Sequence, residues 1–131
     1  MSDTPQSWYA LRDALYAGDF DAAAHLLDMQ PALLHHTDGI GETVLHFLAV
    51  ENALDGVVWL HARGADLDTK NKFGTPALFE VASLEYKDLF DWFLANGADV
   101  KALDAEGQDI VQHLLEFDRQ DMAEWVRGRG T

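Results

Sequence analysis

Gly41, Gly74 and Gly107 recur at one interval of 33 residues, and whole blocks recur with them. GETVLHFLAVENALDGVVWLHARGADLDTKNKF, GTPALFEVASLEYKDLFDWFLANGADVKALDAE and GQDIVQHLLEFDRQDMAEWVRGRG open at those glycines. This period constrains the chain more than any single residue does. A unit of this size cannot bury its own apolar face, so it must stack against neighbours in a solenoid. Function in such a chain lies on the surface of the stack.

Within the second unit, Thr43 precedes a short helix, VLHFLAVEN, with Leu45, Leu48 and Ala49 on one face. A turn at Asn52-Ala53 leads to a second helix, LDGVVWLHAR, which Gly64 terminates in the left-handed conformation that closes helix C-termini. The third unit repeats the plan, with Thr75 expected as N-cap, Pro76 at the first helical position and Gly97 as terminator. The second helices share an apolar stripe: Gly56, Val57, Trp59 and Leu60, then Leu89, Phe90, Trp92 and Phe93, then Met122, Ala123, Trp125 and Val126. Asp55, Asp88 and Asp121 stand four residues before each tryptophan, where a carboxylate favours the helix dipole. Trp59, Trp92 and Trp125 are expected to stack on one another as a ladder.

The N-terminal unit is offset by one residue, with a helix over about 5–17 followed by DFDAAAHLLD. Its Pro31-Ala32-Leu33-Leu34 replaces the Gly-Ala-Asp ending of the central units, and His25 takes the tryptophan position. At the other end, the second helix stops in VRGRGT. The expected architecture is an all-α repeat solenoid in a single domain, 1–131. Its four helix-turn-helix units cover about 5–40, 41–73, 74–106 and 107–128, the outer two serving as caps.

These blocks resemble ankyrin repeats. Thr43, Leu45, His46 and Ala49 match the family's T-P-L-H-x-A stretch. Gly64-Ala65-Asp66-Leu67 and Gly97-Ala98-Asp99-Val100 match its G-A-D-V ending, and Asp38, Gly41 and Thr43 fit its D-x-x-G-x-T turn. The likeness covers about 5–128. It departs at Thr75, where TPALF has one residue more before Phe79, and at Asp109, where the stretch reads DIVQ. His46 is thus the one histidine where the family uses it to tie adjacent turns. The resemblance implies projecting hairpin-like turns and binding of other proteins through the turn tips and the inner face of each first helix. Carried over position by position, it implies a surface of Ile40, Glu42, Lys70, Lys72, Phe73, Thr75, Leu103, Glu106 and Gln108 on the turns. On the helices it implies Tyr16, Val50, Glu51, Ser83, Leu84, Glu116 and Phe117.

The residues themselves point to part of the same surface. Tyr16, Ile40, Val50, Phe73, Leu84, Leu103 and Phe117 are apolar at positions outside the core stripe. Aligned on one face and rimmed by acids, they would form an interaction patch. The competing reading is that they fold back onto neighbouring turns. Lys70, Lys72 and Lys101 add a local positive spot at the tips.

Charge and chemistry narrow the function. Nine Lys and Arg against 23 Asp and Glu give a net charge of −14, which repels nucleic acid and favours a basic protein partner. No cysteine is present, so disulfides and thiol chemistry are excluded. His35, His36 and Asp38 could suggest a metal site, but the two adjacent histidines point in divergent directions and cannot both serve, which leaves no evident third ligand, so no metal is expected. No phosphate loop, nucleophile elbow or cofactor motif occurs. The N-terminus has no signal-peptide pattern and no apolar run approaches the ~20 residues that span a bilayer, pointing to a cytoplasmic protein without a membrane partner. The expected function is a non-enzymatic module without cofactor, monomeric on its own, that docks one protein as scaffold, inhibitor or immunity-type binder. The alternative is self-association as a homodimer through the aromatic second-helix face.

Overall fold

A computed structural model describes residues 4–129; the outer residues of the expected 1–131 domain, including the final Gly130-Thr131 of VRGRGT, lie outside them. Among the described residues are eight α-helices in four consecutive pairs. These are α1 (Gln6–Tyr16) with α2 (Phe20–Met29), α3 (Val44–Val50) with α4 (Leu54–Ala62), α5 (Ala77–Ser83) with α6 (Lys87–Ala95), and α7 (Ile110–Glu116) with α8 (Gln120–Arg127). A 3-10 turn, Pro31–Leu34, follows α2. The first helices pack in a row, α1 on α3, α3 on α5 and α5 on α7. The solenoid expected from the period is therefore present.

Each pair is closed in the same way. Ala53, Tyr86 and Arg119 donate backbone N–H groups to Leu48, Val81 and Leu114, five residues back, while Asn52, Glu85 and Asp118 adopt positive φ. Gly18 does the same between α1 and α2. The core runs unbroken through the row: Leu11 and Leu15, then Leu45 and Leu48, then Leu78 and Phe79, then Ile110 and Leu114 are all buried. Trp8 is also fully buried, with its indole N–H donating to the His36 carbonyl at 3.1 Å.

Successive pairs are joined by hairpins with one recurring bracket. Asp38 Oδ1 accepts the N–H groups of Ile40 and Glu42, Asn71 Oδ1 those of Phe73 and Thr75, and Asp104 Oδ1 those of Glu106 and Gln108. The same three residues accept, through their backbone carbonyls, from Gly41, Gly74 and Gly107. Those glycines have φ of 78°, 77° and 76°, a region that L side chains enter at a cost. Gly41 also lies against the next turn, where a Cβ would fall 2.5 Å from the Lys72 backbone nitrogen. Lys72 donates its N–H to the Ile40 carbonyl at 2.9 Å and joins the two hairpins directly.

Two expectations need correction. Thr75 is not the cap of α5. It belongs to the hairpin, where its carbonyl accepts the Asn71 N–H and its own N–H donates to Asn71 Oδ1, and the pairing continues through a Lys70–Pro76 bridge and Ala77 N–H to the Thr69 carbonyl. Pro76 is extended as a result, and the helix begins at Ala77. Thr43 and Asp109 do cap α3 and α7, the latter in a reciprocal capping box with Gln112. The tryptophan ladder is also different. Trp59 stacks on Phe20, Trp92 meets His61 edge-on, and Trp125 meets Phe90 edge-on, so each indole packs on a ring of the preceding unit rather than on another tryptophan.

The glycine period yields a graded expectation. Gly41→Ala and Gly74→Ala combine positive φ with overlap against the next hairpin, and each should cost about 2–4 kcal/mol. At Gly107 a Cβ meets nothing within 4 Å, so only the backbone penalty of about 1–2 kcal/mol applies. Urea unfolding of the three variants measures the gradient. Equal losses would contradict the close approach of adjacent turns.

Candidate functional site

The hairpins and the C-terminal ends of the first helices carry the anticipated surface, and it divides in two. Ile40, Lys70, Lys72, Phe73, Leu103 and Glu106 are exposed along the turn tips. Phe73 is 61% accessible, with the Lys72 ammonium 5.3 Å from its ring centroid. Val50, Ser83, Leu84 and Phe117 instead come together around one open groove of about 400 Å³ that crosses α3, α5 and α7. Half-buried Thr75 also borders it. Tyr16 is exposed but borders a different depression, beside the 52–56 segment. Glu51 and Glu116 are exposed and outside the groove lining.

The groove is set by local contacts. The Tyr86 hydroxyl donates to the Val50 carbonyl at 3.0 Å, fixing the end of α3 to the third unit. Phe117 lies four residues after His113, and their rings are 4.9 Å apart. His113 packs on its other side against buried Phe79, at 5.1 Å. Phe117 is thereby propped outward at 59% exposure, and Leu84 is 44% exposed.

Three polar residues complete the groove: Glu80, His113 and Arg119. The sequence reading passed over them, although a signal existed. Phe47, Glu80 and His113 occupy one register 33 residues apart, and the replacement of an aromatic residue by ionisable ones at a fixed helical position marks a changed surface.

Glu42, anticipated at a turn tip, is buried at 5% exposure. Its backbone belongs to the turn, but its side chain reaches inward, with Oε2 3.6 Å from His46 Nε2. The same nitrogen contacts Glu80 Oε2. His46 therefore ties α3 to α5 rather than one turn to the next, a tie that the Lys72–Ile40 backbone bond provides. Burial raises the Glu42 carboxyl above its ordinary pKa; the His46 ring partly offsets this, and the Glu80 and Asp38 carboxylates add to it. His46 Nδ1 is buried without a partner among the described residues.

A second histidine–carboxylate pair behaves differently. Asp104 Oδ2 lies 2.9 Å from His113 Nδ1, while its Oδ1 holds the turn. Burial alone would raise this carboxyl, but the hydrogen bonds from His113, Gln108 and Glu106 outweigh it and hold the pKa below the ordinary value. His35 and His36 are exposed.

The second-helix face carries Trp59 beneath Arg63, at 3.5 Å from guanidinium carbon to ring centroid, and Trp125 beneath Arg129, at 4.1 Å. No helix among the described residues is long and apolar enough to cross a membrane.

Stacked helix pairs joined by bracketed hairpins define the class, a helical repeat solenoid. A family model described as ankyrin repeats (many copies) matches residues 26–82. The ankyrin repeat protein OPG189 of variola virus is 28% identical over 103 residues, covering 79% of this chain and 18% of the viral protein. Its counterpart in vaccinia virus (strain Copenhagen) is 30% identical over 89 residues, 68% of this chain and 15% of the relative. The chain thus spans less than a fifth of the length of these relatives. It belongs to the ankyrin-repeat family, whose repeats indicate a protein–protein interaction module.

Asp104 gives a test of how the last hairpin holds its place. Asp104→Ala removes the acceptor of two backbone N–H groups and of His113 and should cost about 1–3 kcal/mol. Asp104→Asn retains the amide oxygen that serves at Asn71 and should cost about 1 kcal/mol. A depressed carboxyl pKa contributes stability present above the ordinary value and lost as pH falls through the depressed one. The gap between wild type and Asp104→Asn should therefore close on acidification. Chemical denaturation at neutral and acid pH measures it, and a gap that widened in acid would reverse the sign.

Proposed function

We propose that this module docks one partner protein across the first-helix groove, with the turn tips as the margin of the interface, and that the partner presents a basic surface. The observation that carries the proposal is the grouping of Leu84, Phe117 and Val50 beside the Glu80 carboxylate in one groove. Exposed apolar side chains beside an acid suit a partner segment that brings apolar anchors and a cation together. The net charge of −14 would speed encounter with such a surface. Ile40 and Phe73, exposed at successive tips, extend the apolar area beyond the groove. Occlusion of the partner's own working surface, or its retention in place, both follow from docking alone.

The alternative, a homodimer through the second-helix face, has less support. Arg63 and Arg129 already cover Trp59 and Trp125. Self-association there would have to displace or bury two guanidinium groups at a desolvation cost.

Leu84→Ala and Phe117→Ala test the groove. Both side chains are exposed, so each variant should unfold within about 0.5 kcal/mol of wild type. Each should weaken binding of the protein captured by the wild-type chain by about 5- to 150-fold, the range of a 1–3 kcal/mol interface residue. A steep fall in binding with added salt is expected for a basic partner. Undiminished binding by both folded variants would remove the groove from the interface.

A further inference from the structure

Glu42, His46 and Glu80, which link α3 to α5 at the edge of the groove, also form a cluster of metal-ligating side chains. Glu42 Oε2, His46 Nε2 and Glu80 Oε2 all lie within 4.8 Å of one another. The His46 side chain is fully buried, that of Glu42 is 7% exposed and that of Glu80 is 29% exposed. Two carboxylates thus converge on one imidazole nitrogen. Their surroundings are largely water-excluded. An anionic pair of this kind needs a compensating cation.

We infer that Glu42, His46 and Glu80 bind one divalent transition cation of the zinc class, which braces the second unit to the third. One imidazole nitrogen and two carboxylate oxygens form the mixed N,O donor set that suits zinc, whereas calcium and magnesium take oxygen donors. Zinc bonds of about 2.0–2.2 Å place neighbouring donors of a tetrahedral shell roughly 3.3–3.5 Å apart. The 3.6 Å between His46 Nε2 and Glu42 Oε2 matches this spacing. Glu80 has the exposure to draw back and complete it, and it borders the groove, which offers both an entry path and a fourth position for water. Glu42 and His46 flank the start of α3 while Glu80 belongs to α5, so the ion would bridge successive units. The Asp104–His113 pair offers no such site. Both Asp104 oxygens are occupied, one by the turn and one by the ring.

His46 Nδ1 lacks the hydrogen-bond acceptor that usually fixes a ligating histidine. Affinity should therefore be lower than at sites with a complete outer shell. The test uses the whole chain stripped with EDTA and titrated calorimetrically with zinc chloride in excess magnesium, which occupies the surface carboxylates. The wild type should show one zinc site absent from Glu80→Gln, with affinity at least about ten-fold above the residual binding of that variant. Exposed His25, His35 and His36 contribute equally to both proteins. The melting temperature should rise with zinc in wild type only. Glu42→Gln, which removes a buried charge, supplies a second folded variant with the same expected loss. Identical isotherms and identical zinc-dependent melting for wild type and either folded variant would overturn the site.

Discussion

One oxygen on a short side chain, accepting two backbone N–H groups, is the interaction on which this molecule depends. It occurs at Asp38, Asn71 and Asp104, each time three residues before a glycine of positive φ. The bracket converts a polar loop into a rigid hairpin whose backbone groups are satisfied internally. Rigid hairpins can lie against each other, as the Lys72–Ile40 bond shows, and their spacing sets the stacking of the first helices behind them. Without the bracket, apolar burial and a few bonds between units, such as that of the Tyr86 hydroxyl to the Val50 carbonyl, would be left to hold the register.

Much of this was legible in the chain. The 33-residue interval identifies the glycines, the glycines identify the turns, and the apolar positions between them identify the helices. Local chemistry accounts for these features, so sequence suffices. Thr43 and Asp109 cap helices because the chain enters those helices directly from the turn. Thr75 does not cap because it lies one residue before that position: Pro76 is in register with Thr43 and Asp109 and has no side-chain acceptor, while Thr75 aligns with Glu42 and Gln108, whose carbonyls likewise accept within their hairpins. The 33-residue interval itself carries this offset, since Thr43 and Asp109 both fall in register with Pro76.

The surface was less legible, for reasons of side-chain direction. Glu42 follows a turn glycine and looks like a tip residue, yet its carboxylate turns inward to His46. The attracting group is the buried His46 ring four residues on, whose same nitrogen also meets Glu80 from the next unit, and no turn motif announces that direction. The tryptophans share a register, but the large aromatic rings Phe20 and Phe90 and the imidazole of His61 intervene, so equal spacing along the chain did not become contact in space. Leu84 and Phe117 were recognised as apolar residues outside the core. Their union with Glu80 in one groove depended on where the ends of α3, α5 and α7 come to rest.

A rigid array of brackets behind a largely apolar groove is the central claim, and amide hydrogen exchange addresses it most directly. The bracketed N–H groups of Glu42, Thr75 and Gln108 lie in turns between helices, where an ordinary loop would exchange rapidly. Protection comparable to that of core helix amides such as Leu48 is expected, because each of these N–H groups is hydrogen-bonded within its hairpin and partly buried. Exchange of these three amides at the rate of exposed loops, with the helices still protected, would contradict it.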